Sequence, residues 1–529
     1  MESPRIHVVP HSHWDREWYL PFAAFRRRLV DLLDSLLVAL EREPGLSFHL
    51  DGQMAVVDDY LELRPEKLAD LKRAARAGLI SLGPWYTLPD EHLVSGECLL
   101  RNLELGQARA RELGVEPMAV GYLPDQFGHT AQMPQLLRRR GIDVAVLWRG
   151  VPGAVRSAVF TWEALDGSSV DTVQLKRGYG HGRGLPLEAA ALGERLRQEV
   201  DADREGNPDG PWLVMCGDDH QPVPSGLAAA LPLAAGTGAA VSTLAGYVSA
   251  RPVARDRWRG ELRSADHSFV LQGTLSARFP LKLRHAALER RLERYLEPAW
   301  TLSGRPWPAR ELAYCWRQLI LNSAHDSICG CSIDQVHLEA SERLARGERL
   351  AGMLRRRLGQ GELAFNPSPF ERRGVPALSS GRAATVPITP VPVGRLGLEL
   401  ELIGDRGDEY THQPPEGERP ARFALEQRNQ LGPDLVVEAA AEQAADEPFV
   451  RLSIGVDNRR RDHRLRLVVP VETSAGAAAG VAFGALERAY RVPGTQLGKE
   501  YDLPTDPARL WVFAGGAAVL LAGPFEYEL

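Results

Sequence analysis

A chain of 529 residues, 44% hydrophobic and 25% charged, has apolar material for more than one core and a length prior of about three domains. Its 63 basic and 69 acidic residues leave a net charge of −6, too balanced for a nucleic-acid or anionic-membrane partner, so a small neutral ligand is the better expectation.

The N-terminus, MESPRIHVVPHSHWD, lacks the charged-then-apolar pattern of a leader, and no stretch reaches the about 18–20 apolar residues of a membrane span. Five cysteines (Cys98, Cys216, Cys315, Cys329 and Cys331) are few and odd in number, which fits reduced thiols in a cytoplasmic protein better than a disulfide framework. Cys329 and Cys331 flank one glycine; buried structural thiols are expected there ahead of a metal pair.

Up to about residue 250, short apolar runs (IHVVP, SFHL, LISLG, MAVGYL, DVAVLW, WLVM) alternate with helical patterns such as FRRRLVDLLDSLLVALERE. That alternation predicts an α/β domain with parallel strands, over residues 1–255. From 256 to 358 the pattern turns helical: LKLRHAALERRLERYLEP, ARELAYCWRQLILNSAHD and DQVHLEASERLARGERLAGMLRRRLG each carry an apolar stripe opposite charge, predicting a three-helix bundle. From 359 to 529 short β-prone runs such as TVPITPVPV, FVRLSIGV, HRLRLVVPV and RLWVFAGGAAVLLAG, broken by Pro, Gly or Asp, predict an antiparallel sandwich. GDRGDEYTHQPPEGERP reads as an exposed loop, and the ending FEYEL, inside a predicted strand, reads as an incomplete sandwich.

The chemistry-bearing residues sit at strand ends. In extended backbone, side chains two apart share a face, so His13 and Asp15 can converge on one point with His11 behind them, and an imidazole with a carboxylate suits zinc. MAVGYLP delivers Asp125, and WLVMCG delivers Asp218 and Asp219. Carboxyl ends of parallel strands share one rim, where ligands bind. A strand-end Asp taken singly caps the next helix about as often; three together point to a site. Outside this region, a helix holding Leu312, Cys315, Trp316 and Leu319 runs into Asn322-Ser323-Ala324-His325-Asp326. Taken alone, His325 reads as a helix-terminal histidine favoured by the dipole.

Together, PHSHWDREW, LPDQFGH and SAHDSICG resemble the first metal segment, the nucleophile segment and the distal histidine segment of the α-mannosidases of glycoside hydrolase family 38. The resemblance covers almost the whole chain. It implies a seven-stranded (β/α) barrel, a three-helix bundle and then β-sandwich domains, here only in part. It implies Zn²⁺ held by His13, Asp15, Asp125 and His325, with Asp125 also the nucleophile and Asp219 the acid/base. Trp18 matches the aromatic platform under the sugar, with Phe127, Arg149, Asp218 and Tyr179 as further substrate-pocket residues and His11 behind the ligands. The implied activity is that of a retaining exo-α-mannosidase acting on oligosaccharides or small glycosides through a covalent mannosyl-Asp intermediate, with zinc chelating the sugar's vicinal hydroxyls.

Asp219 must hold its proton near neutrality, and the like charge of Asp218 is expected to raise its pKa. Two other readings stay open: a zinc carbohydrate deacetylase, in which the metal activates water, and an inactive carbohydrate-binding fragment. No nucleic-acid or membrane partner is expected, and homo-oligomerisation is left open.

Overall fold

The computed structural model describes residues 4–359, 364–472, 475–490, 500 and 504–529. The first strand, β1 (Ile6–Pro10), is buried throughout, and its alternate residues enter different cores. Ile6 and Val8 pack with Leu192, Leu196 and Val214, while Val9 packs with Val146, Val173 and Met215. A strand buried on both faces needs an apolar run, and IHVVP supplies one.

The other strands of this region are β2 (Phe48–His49), β3 (Ile80–Ser81), β4 (Gly121–Leu123), β5 (Val144–Leu147), β6 (Val159–Glu163), β7 (Ser169–Gln174), β8 (Trp212–Cys216), β9 (Ala239–Val241) and β10 (Asp256–Arg259). β1 lies between β8 and β9, parallel to both; β2 pairs β3 in parallel; β4, β5 and β7 form a parallel run. β6 joins antiparallel to β7, and β10 runs parallel to β6. The fold is therefore mixed α/β with several sheets. The six apolar runs fall on β1, β2, β3, β4, β5 and β8, whereas β6, β7, β9 and β10 are strands that the apolar runs do not mark.

The predicted first helix forms as Phe22–Arg42 and buries Phe25, Leu29, Leu33 and Leu36, spaced at three and four residues. At about 1.5–3 kcal/mol for each fully buried side chain of this kind, such a stripe holds the helix on the core it shares with Val57, Tyr60 and Leu71.

The helical segment is more broken than its periodicity predicts. Helix Phe279–Arg291 passes into a π-helical turn at Leu292–Leu296 and a further helix at Glu297–Ser303. The second predicted helix stops at Asn322, and a separate short helix, His325–Ile328, begins after Ala324 adopts extended backbone (φ −49, ψ 136). The long helix Asp334–Arg357 follows.

The last part forms antiparallel sheets. Leu435–Ala444 is flanked by Ile388–Val391, Arg428–Gln430 and Arg451–Asn458, and its alternate residues Leu435, Val437, Ala439 and Ala441 face a common core with Leu400 and Leu402. The run RLWVFAGGAAVLLAG is two strands, because Gly515 and Gly516 both take positive φ and turn it into a hairpin. The final sheet leans on the helical segment, with Phe525 against Phe279 at 4.8 Å between ring centroids. Among the described residues, no helix is long and apolar enough to cross a membrane.

Candidate active site and metal centre

Just past the ends of β1 and β8 the two segments stay paired. His13 N–H donates to Asp218 O (3.2 Å) and His220 N–H to His13 O (2.9 Å). Gly217 allows this approach: a Cβ there would lie 2.0 Å from His11 O. Because the odd-numbered face of β1 carries on inward beyond Val9, His11, His13 and Asp15 follow it towards one centre.

His13 Nε2 lies 3.3 Å from Asp15 Oδ1, and His325 Nε2 lies 3.4 Å from the same oxygen and 3.8 Å from Asp125 Oδ2. Nitrogen and oxygen donors around a tetrahedral zinc stand about 3.3 Å apart, given bonds of about 2.0–2.1 Å. Both Nε2 atoms are buried and have no hydrogen-bond partner among the described residues. The opposite ring nitrogens are held: His13 Nδ1 faces Asp51 Oδ1 at 3.1 Å, and His325 Nδ1 faces Leu88 O at 3.4 Å. A histidine whose far nitrogen is fixed by a carboxylate or carbonyl, and whose near nitrogen is orphaned among carboxylates, is built to bind a metal. The donor set of imidazole and carboxylate fits zinc.

His325 reaches the rim because residues 88–90 zip against the break after Asn322. His325 N–H donates to Leu88 O (3.0 Å) and Asp90 N–H to Ser323 O (2.8 Å). The dipole reading is thereby corrected: His325 opens a new short helix instead of ending the long one. Glu17 fastens the same junction, accepting from Ser327 Oγ (2.5 Å) and pairing with Arg343.

Asp125 is gripped from two sides. Arg149 Nε donates to its Oδ1 at 2.5 Å, and the Tyr179 hydroxyl lies 3.4 Å from its Oδ2. The same hydroxyl donates to Asp219 Oδ1 at 2.8 Å. Burial pushes the Asp219 carboxyl up to about 6, opposed by His13 and the Tyr179 hydroxyl and aided by Asp15 and Asp125. The expected role of Asp218 in that shift is corrected here: its Oδ2 pairs with Arg183 at 2.7 Å and its Oδ1 accepts Asp219 N–H, so it serves the turn.

Phe127 sets its ring edge-on to His325 (5.4 Å), and Arg149 lies over Trp148 (3.9 Å). His11 gives Nε2 to Tyr179 O (2.9 Å) and stands behind the cluster. Trp18 Nε1–H donates to the hydroxyl of Tyr410 at 2.7 Å. Tyr410 belongs to the loop predicted to be simply exposed; most of that loop is exposed, but Asp408 turns it so that Tyr410 O accepts Gly273 N–H (2.8 Å). Two contributors were missed from sequence. Asp51 had a signal, since it follows SFHL as Asp125 follows its own run; Tyr410 had none.

Residues 3–229 match the family described as "Glycosyl hydrolases family 38 N-terminal domain", and residues 270–359 match "Alpha mannosidase middle domain", together more than half of the chain. A Halalkalibacterium halodurans protein provisionally named a mannosylglycerate hydrolase is 37% identical over 65% of this chain and 41% of its own length. Human alpha-mannosidase 2C1 is 26% identical over 78% of this chain and 40% of its own. The chain thus spans well under half the length of these relatives. An alpha-mannosidase structure from Enterococcus faecalis V583 superposes with a TM-score of 0.81 at 23% identity, over 99% of this chain and 83% of that one, a likeness of fold.

Proposed function

Because the chain belongs to glycosyl hydrolase family 38, we propose that it hydrolyses terminal α-mannosides with retention of configuration, using Asp125 as nucleophile and Asp219 as acid/base. The observation that carries this reading is the Tyr179 hydroxyl, within 3.4 Å of Asp125 Oδ2 and 2.8 Å of Asp219 Oδ1. The nearest oxygens of the two carboxyls are therefore separated by no more than those two contacts laid end to end. That limit accommodates the about 5–5.5 Å separation of a retaining pair.

Zinc would be held by His13, Asp15, Asp125 and His325, and when bound it would supply positive charge that favours ionised Asp125 and a binding point for sugar hydroxyls. Arg149 fixes Asp125 Oδ1. The ionised carboxylate attacks the anomeric carbon and forms a glycosyl ester on Asp125 while Asp219, whose carboxyl burial pushes up to about 6, gives its proton to the departing oxygen. Asp219, now ionised, takes a proton from water, which attacks the same carbon and frees Asp125. Tyr179 holds the two carboxyls in register, and Trp18, steadied by Tyr410, offers the stacking face for the sugar.

The substrate reading favours small mannosides such as mannosylglycerate alongside oligosaccharide ends, on the strength of the Halalkalibacterium relative. The parallel strands are read as one seven-stranded barrel. In support, isolated parallel bridges tie His11 to His49 and His13 to Asp219, and Gly182 N–H reaches Met215 O. Domain divisions near 255 and 358 and a helical bundle are supported by the helices between Phe279 and Arg357. A cytoplasmic setting is supported by five free thiols.

The test is hydrolysis of an aryl α-mannoside by the purified chain as isolated, after chelation, and after zinc is restored. Activity that is lost and then regained supports the reading. A folded, zinc-loaded sample without activity overturns it for this chain.

A further inference from the structure

A second cluster of metal-type donors lies away from this site, where three parts of the chain meet. Cys98 stands in the first turn of helix Gly96–Glu112, whose N-cap is Ser95. His285 and Glu289 lie four apart, hence on one face, of helix Phe279–Arg291. All three are within 1% of full burial, and their donor atoms Sγ, N and O lie within 4.8 Å of one another. Among the described residues, every other such group draws on the active-site residues.

His285 carries the mark of the two active-site histidines. Its Nε2 is engaged with Leu319 O (3.2 Å), so its Nδ1 is the bare, lone-pair nitrogen, and that atom is buried without a hydrogen-bond partner among the described residues. It stands 3.4 Å from Glu289 Oε1. That distance exceeds the about 2.7–3.2 Å of an N–H···O bond but matches the about 3.3 Å edge between donors sharing one zinc.

The surroundings balance a cation. Glu289 Oε2 already pairs with Arg509 at 2.6 Å, and Oε1 accepts Ser95 N–H at 2.7 Å. Glu293 joins through the Ser95 hydroxyl, from the π-helical turn Leu292–Leu296, a local insertion of the kind that gathers at functional sites. Cys98 as thiolate and Glu289 as carboxylate would set two negative charges against a divalent ion's own.

We propose that Cys98, His285 and Glu289 form a structural site for a divalent cation of borderline softness, zinc foremost, which ties the N-terminal α/β region to the helical segment. Its burial means that the ion enters while the chain folds and resists brief chelation.

The test uses the full chain produced with cobalt. The active-site donors hold no sulfur, so a thiolate-to-cobalt charge-transfer absorption in the near ultraviolet reports a thiolate site, and its loss in Cys98→Ala assigns it to this one. We expect that absorption in the parent chain and in His13→Ala, and its loss in Cys98→Ala. Zinc-grown Cys98→Ala and His285→Gln should each contain one equivalent of metal less than the parent while keeping the parent's far-ultraviolet circular dichroism. His285→Gln keeps roughly the side-chain volume, so it stands in if Cys98→Ala fails to fold. No absorption in the parent, absorption that persists in Cys98→Ala, or equal metal content in the folded variants overturns the proposal.

Discussion

Replacing Asp51 with Asn tests the metal centre without touching a proposed ligand. Asp51 accepts three hydrogen bonds: from His13 Nδ1–H (3.1 Å to Oδ1), from Trp14 N–H (2.9 Å to Oδ2) and from Gln53 Nε2–H (2.8 Å to Oδ2). An amide cannot make all three. If its oxygen stays on His13, its NH₂ faces two donors, and each buried donor left unsatisfied costs about 1–3 kcal/mol. If it flips, the NH₂ faces His13 Nδ1, which must then accept, and the imidazole proton moves to Nε2, the atom aimed at Asp15. Either outcome weakens metal binding. Losing such a carboxylate support costs about 10–100-fold in metal affinity, or about 1.4–2.7 kcal/mol. Competition for zinc against a chromophoric chelator measures this, with thermal unfolding of the metal-free proteins run alongside. A folded variant that binds zinc within about twofold of the parent would refute the assignment of His13 as a ligand steered by Asp51.

Four further outcomes follow from the same geometry. Asp219→Asn should slow hydrolysis strongly for poor leaving groups and little for activated aryl mannosides; in the parent, activity should fall as pH rises past Asp219's value of about 6, because the acid must carry its proton, and equal losses on both substrate types would remove Asp219 as the acid. Tyr179→Phe deletes a hydroxyl shared by two carboxyls, so kcat/KM should drop about 10–100-fold with zinc content unchanged; unaltered kinetics would deny the bridge a role. Burial alone would lower the His13 pKa, yet Asp51 and Asp15 outweigh it and hold the metal-free imidazole above 6.5. Zinc must displace that proton, so affinity should weaken as pH falls, and a pH-independent affinity from calorimetry would contradict this. Glu17→Ala leaves Arg343 with Asn322 as its remaining partner among the described residues and frees Ser327; denaturant unfolding should register a loss of about 3–5 kcal/mol, and a loss below about 1 kcal/mol would mean that the pair does not brace the His325 segment.

The elements that could be read in the sequence are those set by local pattern. Six apolar runs announced β1, β2, β3, β4, β5 and β8, since a strand buried on both faces must be apolar throughout. β6 and β7 were hidden because polar residues alternate through FTWE and SVDTVQ, and β10 because DRWR is half exposed. The helix break at Ala324 was equally hidden, since the apolar stripe before it gives no warning that residues 88–90 will capture the chain there.

Local pattern sets the candidate donors and carboxylates and their order along the chain. A period of two places His13 and Asp15 on one face whatever surrounds them, and strand ends expose Asp125 and Asp219. Which groups act on those residues follows from long-range packing. Burial, not the adjacent Asp218, raises Asp219, because desolvation depends on everything packed around a carboxyl and not on its neighbour in the chain. Asp51 supports His13 from 38 residues away and Tyr410 meets Trp18 from 392 residues away. Cys98 comes beside His285 and Glu289 only once two helices from different regions pack together, since side-chain approach across such distances is set by long-range packing and has no local code.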